Sequence, residues 1–308
     1  MSNAARSIEH TDPRTGPYRG VHPIVPTAFA SDGSFDEASQ RRLVDHLVAT
    51  GVHGVAILGF LGEAHKLSSA ERRQVISAVV DQGAGRLRVL VGVRALGTAG
   101  AVEQALEAKD LGADAVFVAP IGVQNDAALF EHYRQVAQRS GMPVMIHDYP
   151  DSFGVTIGAG LIVKLANEVP GIMGVKAEDP PVLVKLSAIL AGAPRLVVHG
   201  GLGGVYFLEE LQRGAAGIMT GFAFPEVLLD IYQRFTSGDV EGATQVFDHH
   251  STLLRYEFQP KLGLAFRKHV YVRKGLFTSA HIRAPGMSLD EASRHEFEAI
   301  VQRVGLSL

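Results

Sequence analysis

Eight successive units of a short apolar run, a Gly or polar turn and a helix-period stretch predict a (β/α)8 TIM barrel. Three helix-only segments after Ser237 predict a C-terminal helical appendage. The apolar runs lack strict alternation, as expected where helices cover both faces of a parallel sheet. Composition agrees: of 308 residues, 46% are hydrophobic and 20% charged, which suits a large packed core and opposes disorder. The expected organisation is an N-terminal tail over residues 1–19, a barrel over 20–237 and a helical domain over 238–308.

The strands are expected within the runs that begin at Gly20 (GVHPIVPTAF), Gly51 (GVHGVAILG), Arg88 (RVLVGV), Asp114 (DAVFVAP), Pro143 (PVMIHDY), Ile172 (IMGVKAE), Arg195 (RLVVHG) and Ala216 (AGIMTG). Between them, Ser68-Ser69-Ala70-Glu71 has the spacing of a capping box. Gly51, Gly112 and Gly214 suit helix C-termini that feed the next strand. The appendage helices are expected near Asp239–Tyr256, Pro260–Lys274 and Leu289–Gly305, with Pro285 and Gly286 in the last connection.

Several function classes drop out early. The chain has no cysteine, so disulfides, thiolate zinc sites and thiol nucleophiles are excluded. Lys and Arg total 29 against 32 Asp and Glu, and neither sign clusters, which favours a small-molecule partner over nucleic acid or a membrane surface. The polar start, with Pro13 and Pro17, lacks the apolar centre of a signal peptide, and no stretch reaches about 18 uninterrupted apolar residues, so a cytoplasmic location is expected.

Barrel enzymes carry their chemistry at the C-terminal strand ends. That filter retains Gly59–Glu63, Arg94, His147–Pro150, Lys176 with Glu178 and Asp179, and His199. Lys176 follows an apolar strand, where burial favours the neutral amine that attacks a carbonyl, although an isolated strand-end lysine commonly reaches solvent. His147 and Tyr149 are two apart, hence on one strand face, and imidazole is the usual acid or base near neutral pH. Asp148 is expected to point the other way, into the barrel–helix layer or a neighbouring loop, as a structural hydrogen-bonding carboxylate. Glu178 and Asp179 read as negative charge at the start of the next helix and stand outside the active set. The run Gly200-Gly201-Leu202-Gly203-Gly204 fits either a phosphate-binding turn or a tight turn alone.

Three motifs resemble the dihydrodipicolinate synthase and N-acetylneuraminate lyase family of Schiff-base barrels. They are Ile24-Val25-Pro26-Thr27 followed by Asp32-Gly33, Gly59-x-x-Gly62-Glu63 followed by Leu67-Ser68-x-x-Glu71, and Gly174-Val175-Lys176. The resemblance implies a homotetramer or homodimer in which Lys176 forms an imine with pyruvate or another 2-oxo acid, without metal or organic cofactor. It also implies that amides of the Gly59–Glu63 loop hold the substrate carboxylate, here with Phe60 and Leu61 in place of two hydroxyl residues. His147 occupies the family's strand-five tyrosine position, Pro120-Ile121-Gly122-Val123 replaces a second tyrosine, and Ser152 replaces the arginine for aspartate semialdehyde. These departures argue against a true dihydrodipicolinate synthase. The tracts Met145–Pro150 and Gly217–Glu226 are closer to the 2-keto-3-deoxy sugar-acid dehydratase branch.

The resulting expectation is a Schiff-base lyase, aldolase or dehydratase, on pyruvate or a 2-keto-3-deoxy acid. Lys176, His147 and Tyr149 are its catalytic candidates, with Gly59, Phe60, Leu61, Gly62, Arg94 and Met219 at the substrate. Two alternatives stand beside it: a barrel that binds a 2-oxo acid without turnover, and a metal-dependent barrel using His147, His199 and Glu63 or Glu178.

Overall fold

Strands with no polar face need cover on both sides, and the chain supplies it by alternating strands with helices. The structure, a computed structural model, describes residues 16–122 and 125–308. Most of the expected tail and Val123 lie outside the described residues. The strands are β1 (Gly20–Pro23), β2 (Gly54–Ile57), β3 (Arg88–Val93), β4 (Ala115–Val118), β5 (Val144–Asp148), β6 (Ile172–Ala177), β7 (Val197–Gly200) and β8 (Gly217–Thr220). All the expected strands form, and every ladder is parallel. The sheet runs β1-β8-β7-β6-β5-β4-β3-β2, and an isolated Ile24–Ala56 bridge brings its two ends together into a barrel.

The helices are α1 (Glu37–Thr50), α2 (Ser69–Gly83), α3 (Thr98–Asp110), α4 (Asp126–Ser140), α5 (Pro150–Phe153), α6 (Ala159–Glu168), α7 (Val182–Gly192), α8 (Phe207–Gln212) and α9 (Pro225–Thr236), then α10 (Val240–Glu257), α11 (Gly263–Arg273) and α12 (Glu291–Arg303). The capping box forms as expected: Ser68 accepts from the Glu71 amide while Glu71 accepts from the Ser68 amide. One unit departs from one-strand-one-helix grammar. Pro150 opens α5 after β5, and Gly154 at φ 67 ends it after a single turn before α6 begins. None of the helices among the described residues is long and apolar enough to cross a membrane.

The interior of the barrel is filled by Ile24, Ala56, Leu90, Ala115, Phe117, Met145, Met173, Val197, Ala216 and Met219, so it is a packed core rather than a pore. A second, larger core lies between strands and helices.

A buried charge network fastens the C-terminal helices to the barrel mouth. Glu63 follows β2, and one of its oxygens accepts from Lys268 of α11 at 2.6 Å. The other accepts from Lys66 at 2.9 Å and from the Arg283 amide at 3.0 Å. Lys268 also donates to the His281 carbonyl at 2.7 Å. Removing Glu63 leaves the Lys268 ammonium buried and unpaired, a change that typically costs about 3–5 kcal/mol. Glu63→Ala is therefore predicted to lower unfolding free energy by roughly that amount in urea titrations. A loss below about 1 kcal/mol would show that the network does not hold the two parts together.

Candidate active site

The site begins with a slip in register. Val144 pairs with Ile172, but Met145 pairs with Gly174, so β6 accommodates Met173 as an extra residue. Such a bulge re-aims the residues beyond it. A Cβ on Gly174 would lie 2.6 Å from the Val197 carbonyl oxygen, which makes glycine necessary there. Two residues further along each strand, His147 stands opposite Lys176, and both side chains enter the barrel.

Lys176, His147 and Glu178 then meet above the packed interior, each less than a tenth exposed. Lys176 donates to Glu178 Oε2 in a very short contact, and its Nζ lies 3.3 Å from His147 Nε2. His147 Nε2 is also 3.3 Å from Glu178 Oε2, while its Nδ1 is buried without a partner. Burial lowers the Lys176 pKa from its ordinary value, and Glu178 opposes that shift. Burial alone would raise Glu178, but Lys176 and His147 outweigh it and bring the carboxyl to about 2. Burial, with Lys176 beside it, lowers His147 to about 4. At neutral pH the cluster is thus an anionic Glu178, a neutral imidazole and an amine on which burial and the carboxylate pull in opposite directions.

The glycine run after β7 explains how Glu178 can sit there. The Leu202 amide donates to Glu178 Oε1 at 2.9 Å, and a Cβ on Gly201 would collide with that carboxylate. A Cβ on Gly200 would collide with Glu210, whose buried carboxyl is pushed up to about 8 by burial and by Glu178. The Gly203 amide donates to Thr220 Oγ1 at 2.9 Å. The run therefore makes room for two buried carboxyl groups and supplies one of them with an amide.

The rim is aromatic. Tyr149 lies just beyond β5, with its ring 6.3 Å from His147 and 5.9 Å from Lys176 Nζ. Phe153 meets His147 edge-on at 4.8 Å, and Phe117 lies 5.3 Å from it on another side. The Gly59–Gly62 turn is tied to the barrel by Thr27, whose hydroxyl donates to the Gly62 carbonyl at 2.6 Å. Phe60 on that turn is 44% exposed and stacks on His65, whereas Leu61 packs against the barrel interior. The Arg94 guanidinium lies 5.4 Å from the Phe60 ring and 5.0 Å from Phe153. Met219 is fully buried in the packed interior on β8, opposite His22.

A profile of the dihydrodipicolinate synthetase family matches residues 17–304. The chain belongs to this family. It is 29% identical over 301 residues to the L-2-keto-3-deoxyarabonate dehydratase of Azospirillum brasilense, across 96% of this chain and 97% of that protein. The crystal structure of dihydrodipicolinate synthase from Rhodopseudomonas palustris superposes with a TM-score of 0.89 at 33% identity, covering 95% of this chain and 99% of that one. YagE from E. coli K12, solved in complex with pyruvate, gives a TM-score of 0.88 at 25% identity, covering 94% and 99%. Membership makes the chain an enzyme of the lyase class.

The structure redistributes some expected roles. Glu178, read from sequence as helix-terminal charge, is a strand-end carboxylate in contact with Lys176, and α7 starts only at Val182. Asp148 does point into the barrel–helix layer, where Lys185 approaches it at 2.6 Å. Two donors of the metal alternative are engaged away from the cluster: His199 Nε2 contacts the Tyr18 carbonyl at 2.7 Å, and Glu63 binds Lys268. Among the described residues no group of three or more His, Asp or Glu side chains is arranged to hold an ion.

The pair makes a signed pH prediction. Glu178 holds the Lys176 pKa up, so Glu178→Gln lowers it and makes the free amine available at lower pH. Borohydride capture of pyruvate on Lys176, followed against pH by peptide mass spectrometry, should shift its midpoint to lower pH in that variant. An unchanged or raised midpoint would contradict the electrostatic coupling.

Proposed function

We propose that the protein is a cofactor-independent Schiff-base dehydratase of a 2-keto-3-deoxy acid. The observation that carries this reading is the buried contact of Lys176 with Glu178. The Lys176 amine attacks the C2 carbonyl, water leaves, and a protonated imine forms. C3 is then two bonds from Nζ, so the carboxylate that touches Nζ lies beside the C3 hydrogens.

Glu178 takes one C3 proton, and the electron pair of that bond flows into the iminium to give an enamine. The enamine expels the C4 hydroxyl, which receives the proton held by Glu178 and departs as water. The conjugated imine is hydrolysed, and Lys176 is regenerated as the amine. His147, neutral at pH 7 and in contact with both partners, positions Glu178 rather than delivering a proton itself. Tyr149 presents its ring face to Nζ, which shields the imine from water.

This division of labour supplies a proton carrier where the family's tyrosine relay is missing, and so favours turnover over a purely binding role. The similarity to a named dehydratase of the same substrate class supports the choice of reaction. Covalent catalysis through Lys176 needs no metal, and a homotetrameric, cytoplasmic enzyme is part of the same reading.

A panel of 2-keto-3-deoxy five- and six-carbon acids, with and without a terminal carboxylate, with product followed by NMR, tests it. Wild type should release a dehydrated product, and Lys176→Ala should be inactive. Glu178→Gln should lose about 10²- to 10⁴-fold in kcat while still giving a borohydride adduct. Aldehyde plus pyruvate as the products would replace dehydration with aldol cleavage.

A further inference from the structure

One cation at the mouth has no use in the chemistry above. Arg94 leaves the C-terminal end of β3, and its Nε and Nη1 are buried with no hydrogen-bond partner. A guanidinium taken out of water needs hydrogen bonds or an anion in exchange. Arg94 has ring faces instead, from Phe60 and Phe153, and the charged residue that acts on it most is a like charge, Arg72. Burial lowers its pKa to about 10, so the group still carries its charge at neutral pH.

Its position adds to this. Phe153, which borders Arg94 at 5.0 Å, borders His147 at 4.8 Å, and His147 lies 3.3 Å from the Lys176 amine. The unpaired guanidinium therefore stands across one aromatic ring from the reacting cluster. A planar fork of N–H donors is matched to a carboxylate, which it can bind by two parallel hydrogen bonds.

We propose that Arg94 receives a second carboxylate of the substrate, remote from the 2-oxo group, so that the preferred substrates are 2-oxo diacids rather than monoacids. This rests on the reading of Lys176 as the imine-forming group. The diacid would reach from Lys176, where its keto carbon reacts, to the Arg94 guanidinium beside Phe60 and Phe153. The buried Phe153 ring keeps water from one side of that contact and so strengthens the charge-assisted pairing.

The test is equilibrium binding, by calorimetry, of 2-hydroxy acids matched in length with and without a terminal carboxylate. These ligands form no imine, so the result is independent of Lys176 chemistry. Wild type should prefer the diacid at least tenfold. Arg94→Gln should bring the ratio close to one, and Arg94→Lys should recover only part of it. Melting temperatures establish that each variant is folded.

Equal weakening of both acids in Arg94→Gln would put the shared carboxylate on Arg94 and overturn the proposal. A wild type that binds the diacid no better than the monoacid would overturn it too. Borohydride capture of pyruvate on the same proteins reports the imine reading separately, so failure of one is not mistaken for failure of the other.

Discussion

An amine folded into a barrel must either lose its proton or keep an anion beside it, because the desolvation of an unpaired charge costs several kcal/mol. Here the anion is Glu178, just beyond the end of β6 and two residues from Lys176. Much of the local architecture follows from making that pairing possible. The register slip at Met173 turns Lys176 inward opposite His147. The glycines after β7 clear the volume that the carboxylate occupies, and the Leu202 amide satisfies its second oxygen.

The pair also sets a compromise between stability and reactivity. A fully protonated Lys176 would be the more comfortable partner for Glu178 but a useless nucleophile. A Lys176 without Glu178 would be free but would lose the carboxylate proposed as the base beside C3. Burial and Coulomb attraction act on the amine in opposite directions, with burial the larger, so its pKa lies below that of a free lysine. The C-terminal helices contribute from outside this cluster. Lys268 of α11 reaches the Glu63 turn of β2, so the loop that faces the site is held by a distant part of the chain.

The fold was readable because it is repetitive. Eight apolar runs, each followed by a helix-period stretch, are a redundant signal, and an error in one unit leaves the others intact. The place of Lys176 at the end of a strand is readable from such a run, whereas its expected imine role rests on the resemblance carried by Gly174-Val175-Lys176. The contact of Glu178 with Lys176 is hidden in the sequence for a specific reason: Glu178-Asp179 ahead of a helix invites a dipole explanation. The same two-residue periodicity that paired His147 with Tyr149 would have paired Lys176 with Glu178, since β6 is extended through Ala177. What no periodicity reveals is the bulge on β6, because it depends on the close approach of Gly174 to Val197 on the next strand. The glycine run was likewise ambiguous until its neighbours, two buried carboxyl groups, were in place.

The central claim is that Glu178 moves the proton next to the imine carbon. Deuterium exchange into the methyl group of pyruvate, followed by proton NMR in D2O, isolates that step, since it requires the imine and the base but no leaving group. The account predicts enzyme-dependent exchange that vanishes in Lys176→Ala and falls by about 10²-fold or more in Glu178→Gln. Undiminished exchange in Glu178→Gln would contradict it and move the proton transfer to another group.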